Sequence, residues 1–333
     1  MMNQAEHFET IIIGAGPCGL AAAVELEKNE MDYIVLEAFN IVNAIYNYPT
    51  HQTFFSSSEK IAIGDVPFIT EAHKPKRNQA LVYYREVVKH HDLNIRTFEE
   101  VISGGSTDEG FTIETNKSRY SCRHLIIATG YYGQPNRLDV PGGGKSKVSH
   151  YFKEAHPYFG RDVLVVGGRN SSADAAIELE KAGARVTVIH RRDDYSKSIK
   201  PWVLPQLKSL VDHEKIRYEF NAELLEVKDD SAVIRTGDEI KEIKNDFVLA
   251  MIGYHPDYDF LRSFGIRLTA YEEGYAPSYD PDTMETNIEN LYLAGVVAAG
   301  GDANTIFIEN GRFHGKRIIR HIMEKSAHQN QPL

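Results

Sequence analysis

Two glycine-rich turns, each preceded by a strand-like run, are the clearest candidates for chemistry in this sequence. The first is "GAGPCG" at 14–19 and the second is "GGRNSS" at 167–172. In a GxGxxG turn the first glycine permits a tight bend and the middle one lets a pyrophosphate approach the backbone. The last glycine lets the following helix, whose N-terminus faces the phosphates, pack on the strand. Gly14, Gly16 and Gly19 satisfy all three requirements.

The residue after each second strand distinguishes the two turns. Glu37 follows Gly14 at the same spacing in sequence as His190 follows Gly167. A carboxylate at this position accepts a hydrogen bond from a ribose 2′-OH and repels a 2′-phosphate, whereas Arg191 and Arg192 can pair with a 2′-phosphate. We therefore predict a nucleotide with a free 2′-OH in the first site and NADPH in the second.

The second turn departs from the GxGxxG pattern, because Arg169 replaces the middle glycine and Ser172 the last. The assignment of NADPH to this turn therefore depends on the equal spacing of Glu37 and His190 from their turns, and on "HRR" at 190–192. The alternative is that "HRRDD" is a solvated run of charges that neutralise one another. The residues predicted to bind NADPH are Gly168, Arg169, Asn170, Ser171, Ser172, His190, Arg191 and Arg192.

FAD is the nucleotide predicted for the first site. A second mobile nicotinamide would have no evident reaction, whereas a bound flavin can take a hydride from NADPH and reduce another substrate. A helix beginning near "ANTIFIENG" (303–311) could direct its positive end at a reduced flavin.

These turns require strand–turn–helix–strand units, and the sequence contains two. Continuous apolar strands that alternate with amphipathic helices are typical of a parallel, doubly wound sheet. The predicted strand, helix and strand are 9–14, 17–29 and 32–37 in the first unit, and 162–168, 171–183 and 184–190 in the second.

The terminal strand, glycine loop and helix are too small to stand alone, and we expect them to complete one of these units. The predicted fold class is α/β, with two Rossmann-like doubly wound domains and the NADPH domain inserted into a discontinuous FAD domain. The predicted bounds are 1–133 and 253–333 for the FAD domain and 134–252 for the NADPH domain.

Composition narrows the possible partners. The net charge of −10 argues against a nucleic-acid surface, and no apolar run is long enough to cross a membrane. The opening "MMNQAEHFET" has no signal-peptide features. Two distant cysteines are neither a disulfide framework nor a zinc pattern, and no metal-ligand spacing is present, so we expect a cytoplasmic protein without a metal.

The assembled motifs resemble those of the thioredoxin-reductase-like flavoproteins with two dinucleotide-binding domains. The matching segments are "GAGPCG", "YNYP" (46–49), "ATG" (128–130), "VVGG", "HRR" and "LYLAG". Within that group the chain is similar to the bacillithiol-disulfide (bacilliredoxin) reductases in "NYPTHQTFFS" (47–56), "GGRNSS" and "IFIENGRFHG". The resemblance implies NADPH-driven reduction of bacillithiol disulfide or another small disulfide in the cytoplasm, in support of a bacilliredoxin. We also expect a homo-oligomer, either a dimer or a tetramer.

The same resemblance adds further expected FAD contacts. Together with the residues above, the predicted FAD site contains Gly14, Gly16, Pro17, Gly19, Glu37, Asn47, His51, Thr129, Gly130, Gly295, Thr305 and Ile306. Two departures stand out. No cysteine follows Cys122, so the CxxC of thioredoxin reductases is absent, and Gly295 is followed by valine where those reductases have the aspartate that holds the ribityl chain.

Cys18 is the predicted catalytic residue, because a disulfide reductase without CxxC has few thiols to use. Its thiolate could attack the substrate disulfide and form a mixed disulfide that the reduced flavin then resolves. Two alternatives remain open: direct hydride transfer from flavin to the disulfide, and a merely small side chain beside the phosphates. A helix N-terminus lowers a thiol pKa, but a neighbouring pyrophosphate opposes that effect.

Three other functions share parts of this pattern. A ferredoxin- or flavodoxin-NADP reductase also lacks CxxC, although a basic docking surface would be harder to build on an acidic chain. A flavin monooxygenase is weakly suggested by 150–174, and a non-catalytic redox sensor would merely bind both nucleotides.

Overall fold

The computed structural model describes residues 5–271, 274–302 and 305–329. The chain forms two compact units, one made of 1–134 and 254–333 and the other of 135–253. The strands in chain order are β1 (Glu6–Ile13), β2 (Tyr33–Leu36), β3 (Ile95–Arg96), β4 (Val101–Thr107), β5 (Gly110–Thr115), β6 (Arg119–Ile127), β7 (Val148–Ser149), β8 (Asp162–Val166), β9 (Arg185–Ile189), β10 (Ile216–Glu219), β11 (Ala222–Val227), β12 (Ser231–Thr236), β13 (Glu239–Lys244), β14 (Phe247–Ala250), β15 (Leu268–Tyr271), β16 (Gly274–Pro277) and β17 (Leu291–Leu293).

The helices lie between these strands and after the last one, and they vary widely in length. They are α1 (Pro17–Lys28), α2 (Asn43–Tyr46), α3 (Ser58–Ile61), α4 (Arg77–His90), α5 (Asn170–Lys181), α6 (Leu204–Asp212), α7 (Tyr258–Ser263), α8 (Ile308–Gly311) and α9 (His314–Gln329). None of the described helices is long and apolar enough to cross a membrane.

The largest sheet of the first unit has the order β3-β2-β1-β6-β5-β4, and β15 and β16 form a separate antiparallel pair. The strands β3, β2, β1 and β6 run parallel, and every residue of β2 is buried, as expected of a sheet covered on both faces. β17 pairs in parallel with the second half of β6, from Leu125 to Ile127. The segment after residue 254 therefore contributes a strand to the same sheet.

An antiparallel extension of this sheet had no counterpart in the sequence-based prediction. β5 pairs antiparallel with the first half of β6, and β4 pairs antiparallel with β5. Residues along β5 alternate between exposed and buried, a pattern typical of antiparallel strands with one solvated face. The first unit is thus a mixed sheet with a parallel centre.

Two helices pack directly on each other beneath the first turn. α1 is rich in alanine and begins at Pro17, a residue suited to the first helical position. A side-chain carbon on Gly315 would lie 2.5 Å from Cα of Ala22, so only glycine allows α9 to approach α1 this closely. This contact anchors the C-terminal helix to the nucleotide turn.

Within the described part of "ANTIFIENG", near which a helix was predicted to begin, helical structure occurs only at the end. Residues 303–304 lie outside the described residues, and the helical segment α8 comprises only Ile308–Gly311. A separate helix, α9, then starts at His314. Gly311 is held at a tight contact, because a side-chain carbon there would lie 2.9 Å from Sγ of Cys18.

The second unit repeats the strand–turn–helix–strand plan. Its parallel sheet has the order β10-β9-β8-β14-β7, and α5 follows β8 directly. A separate antiparallel sheet, β11-β12-β13, follows β10 and was not predicted from the sequence. Its inner residues form a second core with Leu164 and Val248 of the parallel sheet.

Candidate functional site

The first turn has the geometry of a phosphate-binding loop. Gly14 has φ +105°, and a side-chain carbon there would lie 2.6 Å from the carbonyl oxygen of Ala128. A side-chain carbon on Gly19 would lie 2.0 Å from the carbonyl oxygen of Gly14. Both glycines are therefore demanded by the fold of the protein itself.

At Gly16 the protein itself does not exclude a side chain. It precedes α1 with φ −70° and ψ 173°, values that any residue adopts. Apart from Gly16 itself and its two chain neighbours, no protein atom would lie within 4 Å of a side-chain carbon added there. The space above Gly16 is therefore an open cradle at the N-terminus of a 12-residue helix, where a pyrophosphate is favoured.

Glu37 closes the far side of this turn. Its side chain is buried, and its carboxylate oxygens accept hydrogen bonds from the backbone amides of Ala15 (2.8 Å) and Phe39 (3.0 Å). Burial raises the pKa of Glu37, while the two amide hydrogen bonds act in the opposite direction. The remaining lone pairs of the carboxylate are suited to ribose hydroxyls.

Replacing Glu37 with arginine should reduce FAD affinity, because a cation would stand where a ribose hydroxyl must be accepted and two amides would lose their acceptor. The flavin-to-protein ratio after purification measures this loss. Glu37→Gln is the matched control, since it keeps the side-chain length and one acceptor oxygen. An arginine variant that retained a full complement of flavin would refute the assignment of the first site.

Two later segments converge on the first turn. A side-chain carbon on Gly130, which has φ +70°, would lie 3.9 Å from Cγ1 of Val296, and Thr129 is exposed. The backbone N–H of Gly295 donates to Nδ1 of His314 at 3.2 Å. Burial lowers the pKa of His314 to about 4, so its imidazole is neutral and can accept this bond. Apart from its place in the last segment, nothing in the sequence indicated that His314 contacts this site.

Cys18 lies at the centre of this convergence, and its surroundings are evidence against the predicted nucleophilic role. A side-chain carbon on either Gly295 or Gly311 would lie 2.9 Å from its Sγ, so the sulfur packs against both glycines. Burial raises the pKa of the Cys18 thiol to about 12. A thiol with this pKa is almost entirely protonated at neutral pH, and the thiolate is the reactive form. We infer that Cys18 is a packing residue.

Cys18→Ala should therefore retain most of the disulfide turnover of the unaltered protein. Alanine removes only the sulfur between two glycines, so we expect a modest loss of stability, about 1 kcal/mol, from the small cavity. Steady-state turnover is compared at equal flavin content, with Cys122→Ala as the control for loss of a buried thiol elsewhere. A collapse of disulfide turnover with normal flavin reduction by NADPH would restore the catalytic role.

The other predicted FAD contacts are distributed around the turn. Asn47 follows α2 as its C-cap, and its carbonyl oxygen accepts a hydrogen bond from the hydroxyl of Tyr132 at 3.2 Å. His51 is exposed in the turn that follows. Thr305 donates from its hydroxyl to the carbonyl oxygen of Asp302 at 3.2 Å, and Ile306 packs against the core of the first unit.

The second turn is shaped by a histidine as well as by its helix. Gly167 has φ +140°, and a side-chain carbon there would lie 2.3 Å from the carbonyl oxygen of Met251. A side-chain carbon on Gly168 would lie 2.1 Å from Nδ1 of His190. His190 is buried, and its Nε2 has no hydrogen-bond partner.

His190 was predicted to contact NADPH, but its ring lies against Gly168 and Nε2 is enclosed by protein. Burial, with Arg192 and Arg191 nearby, lowers the pKa of His190 and keeps the imidazole neutral. We infer that His190 packs against the turn, whereas Arg191 and Arg192 are exposed and available to a ligand.

Some side chains at the start of α5 form hydrogen bonds within the protein. Asn170 donates from Nδ2 to the carbonyl oxygen of Ser198 and accepts from the backbone N–H of Lys200, both at 2.9 Å. The hydroxyl of Ser172 donates to the carbonyl oxygen of Arg169 at 2.8 Å, while Ser171 is exposed. Asn170 thus holds the segment 196–200 against the helix, a role that the sequence did not reveal.

The residues of both units fit the two nucleotides. The open cradle at Gly16 and the carboxylate of Glu37 match a dinucleotide with a free ribose 2′-OH, as in FAD. The exposed arginines after β9 match a nucleotide with a 2′-phosphate. Among the described residues, no group of three or more His, Cys, Asp and Glu side chains could hold a metal ion.

Two Rossmann-like units, each with a nucleotide turn, define a class of oxidoreductase that binds two dinucleotides. The sequence profile of the pyridine nucleotide-disulphide oxidoreductases matches residues 11–295, and the chain belongs to this family. Members of the thioredoxin-reductase type are flavoprotein enzymes that use FAD and NADPH.

Individual relatives share almost the full length of the chain. The bacilliredoxin reductase Bdr of Bacillus subtilis (strain 168) is 54% identical over 322 residues, which cover 96% of this chain and 99% of the relative. The solved bacillithiol disulfide reductase Bdr (YpdA) of Staphylococcus aureus is 59% identical with a TM-score of 0.94, covering 96% of this chain and 99% of its own. The solved bacillithiol disulfide reductase Bdr (YpdA) of Bacillus cereus is 53% identical with a TM-score of 0.93, covering 96% of this chain and 100% of its own.

Proposed function

We propose that this chain reduces a small disulfide at the expense of NADPH, and that bacillithiol disulfide is the substrate. In the balanced reaction, NADPH, one proton and the disulfide yield NADP⁺ and two thiols. The observation that carries the proposal is the contrast between the turns: an open cradle with a buried carboxylate in one unit, and two exposed arginines in the other. That pair of sites suits one resident cofactor and one exchangeable reductant.

The chain's own residues have distinct tasks in this scheme. The N-terminus of α1 and the backbone at Gly16 would hold the FAD pyrophosphate, and Glu37 would hold the ribose. Arg191 and Arg192 would select NADPH over NADH. When bound, FAD supplies a carrier that accepts a hydride from NADPH and passes two electrons to a disulfide.

No protein dithiol is needed for this reaction. Cys18 and Cys122 are both free thiols, and burial raises the pKa of each to about 12. Neither thiol is suited to attack a disulfide at neutral pH. We therefore favour electron transfer to the substrate disulfide without a mixed disulfide on the protein.

Further parts of the proposal concern partners and location. Bacillithiol released by the reaction would keep a bacilliredoxin reduced, and the active form would be a homo-oligomer, a dimer or a tetramer. The two free thiols are compatible with a reducing compartment, and we propose the cytoplasm.

The direct test is NADPH consumption by the flavin-loaded protein against bacillithiol disulfide, glutathione disulfide, thioredoxin, ferredoxin and oxygen alone. We expect bacillithiol disulfide to give the highest kcat/KM. Preference for ferredoxin, or a stable C4a-hydroperoxide with oxygen, would favour the reductase or monooxygenase alternatives. Binding of both nucleotides without any turnover would favour a sensor.

A further inference from the structure

Two segments of the first unit lack acidic residues entirely. The segments 38–58 and 72–85 contain no Asp or Glu, although these residues make up 47 of the 333 positions of the whole chain. The second segment carries His73, Lys74, Lys76 and Arg77 close together. We call the surface formed by residues 46–54 and 73–77 the basic surface.

The backbone joins these segments side by side. Thr53 and Lys76 form an isolated antiparallel bridge. The N–H of Phe54 donates to the carbonyl oxygen of Pro75 at 2.9 Å, and the N–H of Arg77 donates to that of Gln52 at 2.8 Å. The cations of one segment are therefore fixed next to the acid-free residues of the other.

Two further features contribute to the basic surface: the positive end of α4, and the contacts that hold Arg77 in place. α4 is a 14-residue helix that begins at Arg77, so its positive end coincides with the cations. Arg77 donates to the carbonyl oxygen of Tyr46, and its guanidinium lies 5.2 Å from the centroid of the Tyr46 ring. Arg77 thus has a structural task, whereas Lys76 is exposed.

The basic surface is continuous with the predicted FAD site. The N–H of Val42 donates to the carbonyl oxygen of Ala15 in the first turn at 2.9 Å. The ring of Tyr48 packs edge-on against that of Tyr132, 5.1 Å away, and the Tyr132 hydroxyl donates to Asn47. A molecule held on the basic surface would therefore lie next to the residues expected around the flavin.

We propose that the basic surface binds the substrate of the proposed reaction, a small disulfide that carries carboxylates. This inference rests on the proposed function and specifies the charge of the substrate. A chain of net charge −10 repels an anion in general, so a local cationic surface is needed to concentrate one near the flavin. The surface is exposed, and its attraction is therefore screened by salt.

The experiment compares Lys76→Gln and Lys76→Glu with Lys89→Gln. Lys89 lies near the other end of the same helix and is exposed, so Lys89→Gln makes the same charge change as Lys76→Gln, away from the basic surface. Steady-state kinetics are measured with bacillithiol disulfide and glutathione disulfide, which are anionic, and with cystamine, which is cationic. We expect KM for the anionic disulfides to rise about three- to tenfold in Lys76→Glu, less in Lys76→Gln, and not in Lys89→Gln.

Two further readouts separate the possible causes. The first is salt: raising its concentration should increase KM for the anionic disulfides in the unaltered protein, and should have a weaker effect in Lys76→Glu. The second is KM for cystamine, which should stay level or fall in Lys76→Glu. Equal changes for anionic and cationic disulfides, or equal effects of Lys76 and Lys89 substitutions, would overturn the proposal. Loss of bound flavin in Lys76→Glu would also overturn it, because the cations would then serve the FAD phosphates.

The same variants keep this inference separable from the proposed function. If the unaltered protein turns over no disulfide, the proposed function fails. Titrating glutathione disulfide against the flavin absorbance spectrum then measures binding without turnover. Weaker binding in Lys76→Glu would still support an anion-binding surface, and identical binding in all variants would refute it. If disulfides are reduced normally by every variant, only this inference fails.

Discussion

Gly16→Val should yield a folded protein that no longer retains FAD. The backbone at Gly16 is extended, a conformation that valine accepts readily, and no protein atom beyond its two chain neighbours lies within 4 Å of the added carbon. The side chain would instead fill the space that a pyrophosphate needs. Losing two amide–phosphate hydrogen bonds, each worth about 1.5–3 kcal/mol, should weaken FAD binding at least about a hundredfold.

The measurement is the ratio of flavin absorbance to protein, together with the unfolding temperature of flavin-free protein. Gly105→Val is the matched control, because Gly105 in β4 is also open around its Cα but lies in the antiparallel extension. It should keep its flavin. Gly19→Ala provides the contrasting case, since its new carbon would clash with Gly14 and should lower stability. Full flavin content in Gly16→Val would refute the assignment of the first turn.

The double substitution of Arg191 and Arg192 by alanine should remove the preference for NADPH. Each charge-assisted contact to a 2′-phosphate is worth about 1.5–3 kcal/mol, so losing even one should raise KM for NADPH about ten- to a hundredfold. NADH has no 2′-phosphate, and its KM should hardly change. The kcat/KM ratio for the two nucleotides measures the effect.

A matched control for this change is Arg235→Ala. Arg235 belongs to the same unit, is paired with Glu223 in the antiparallel sheet, and has no predicted part in nucleotide binding. It should leave the preference for NADPH intact. If the double variant lost NADPH and NADH binding equally, the two arginines would have a structural role instead.

The first turn could be predicted from the sequence because each of its conformational requirements involves residues close together in the chain. A positive φ at Gly14, a close approach at Gly19 and an open cradle at Gly16 all belong to one strand–turn–helix unit. The parallel strands were readable for the same reason, since continuous apolar runs such as that of β2 indicate burial on both faces.

The features that could not be predicted from the sequence depend mainly on contacts between segments that are distant in the chain. Cys18 was predicted to be the nucleophile because the chain has few thiols, but burial raises its pKa, and its sulfur packs against Gly295 and Gly311 from the other end of the chain. His190 was predicted to face a ligand from its spacing, yet its ring lies under Gly168. The antiparallel strand β4 carries two glycines and mixed exposure, so no simple alternation marked it.

The division of the first unit along the chain has a consequence for biosynthesis. β6 ends at Ile127 and β17 begins only at Leu291, yet the two strands pair in one sheet. The second unit is continuous and emerges from the ribosome in between, so it can fold first, as domains generally do during synthesis. A nascent chain that stops before Leu291 therefore leaves the second half of β6, Leu125 to Ile127, without its partner on one side. Without Gly295 and Gly311 the nucleotide turn also lacks the residues that pack against Cys18. We expect the flavin to be captured only after these residues have been translated.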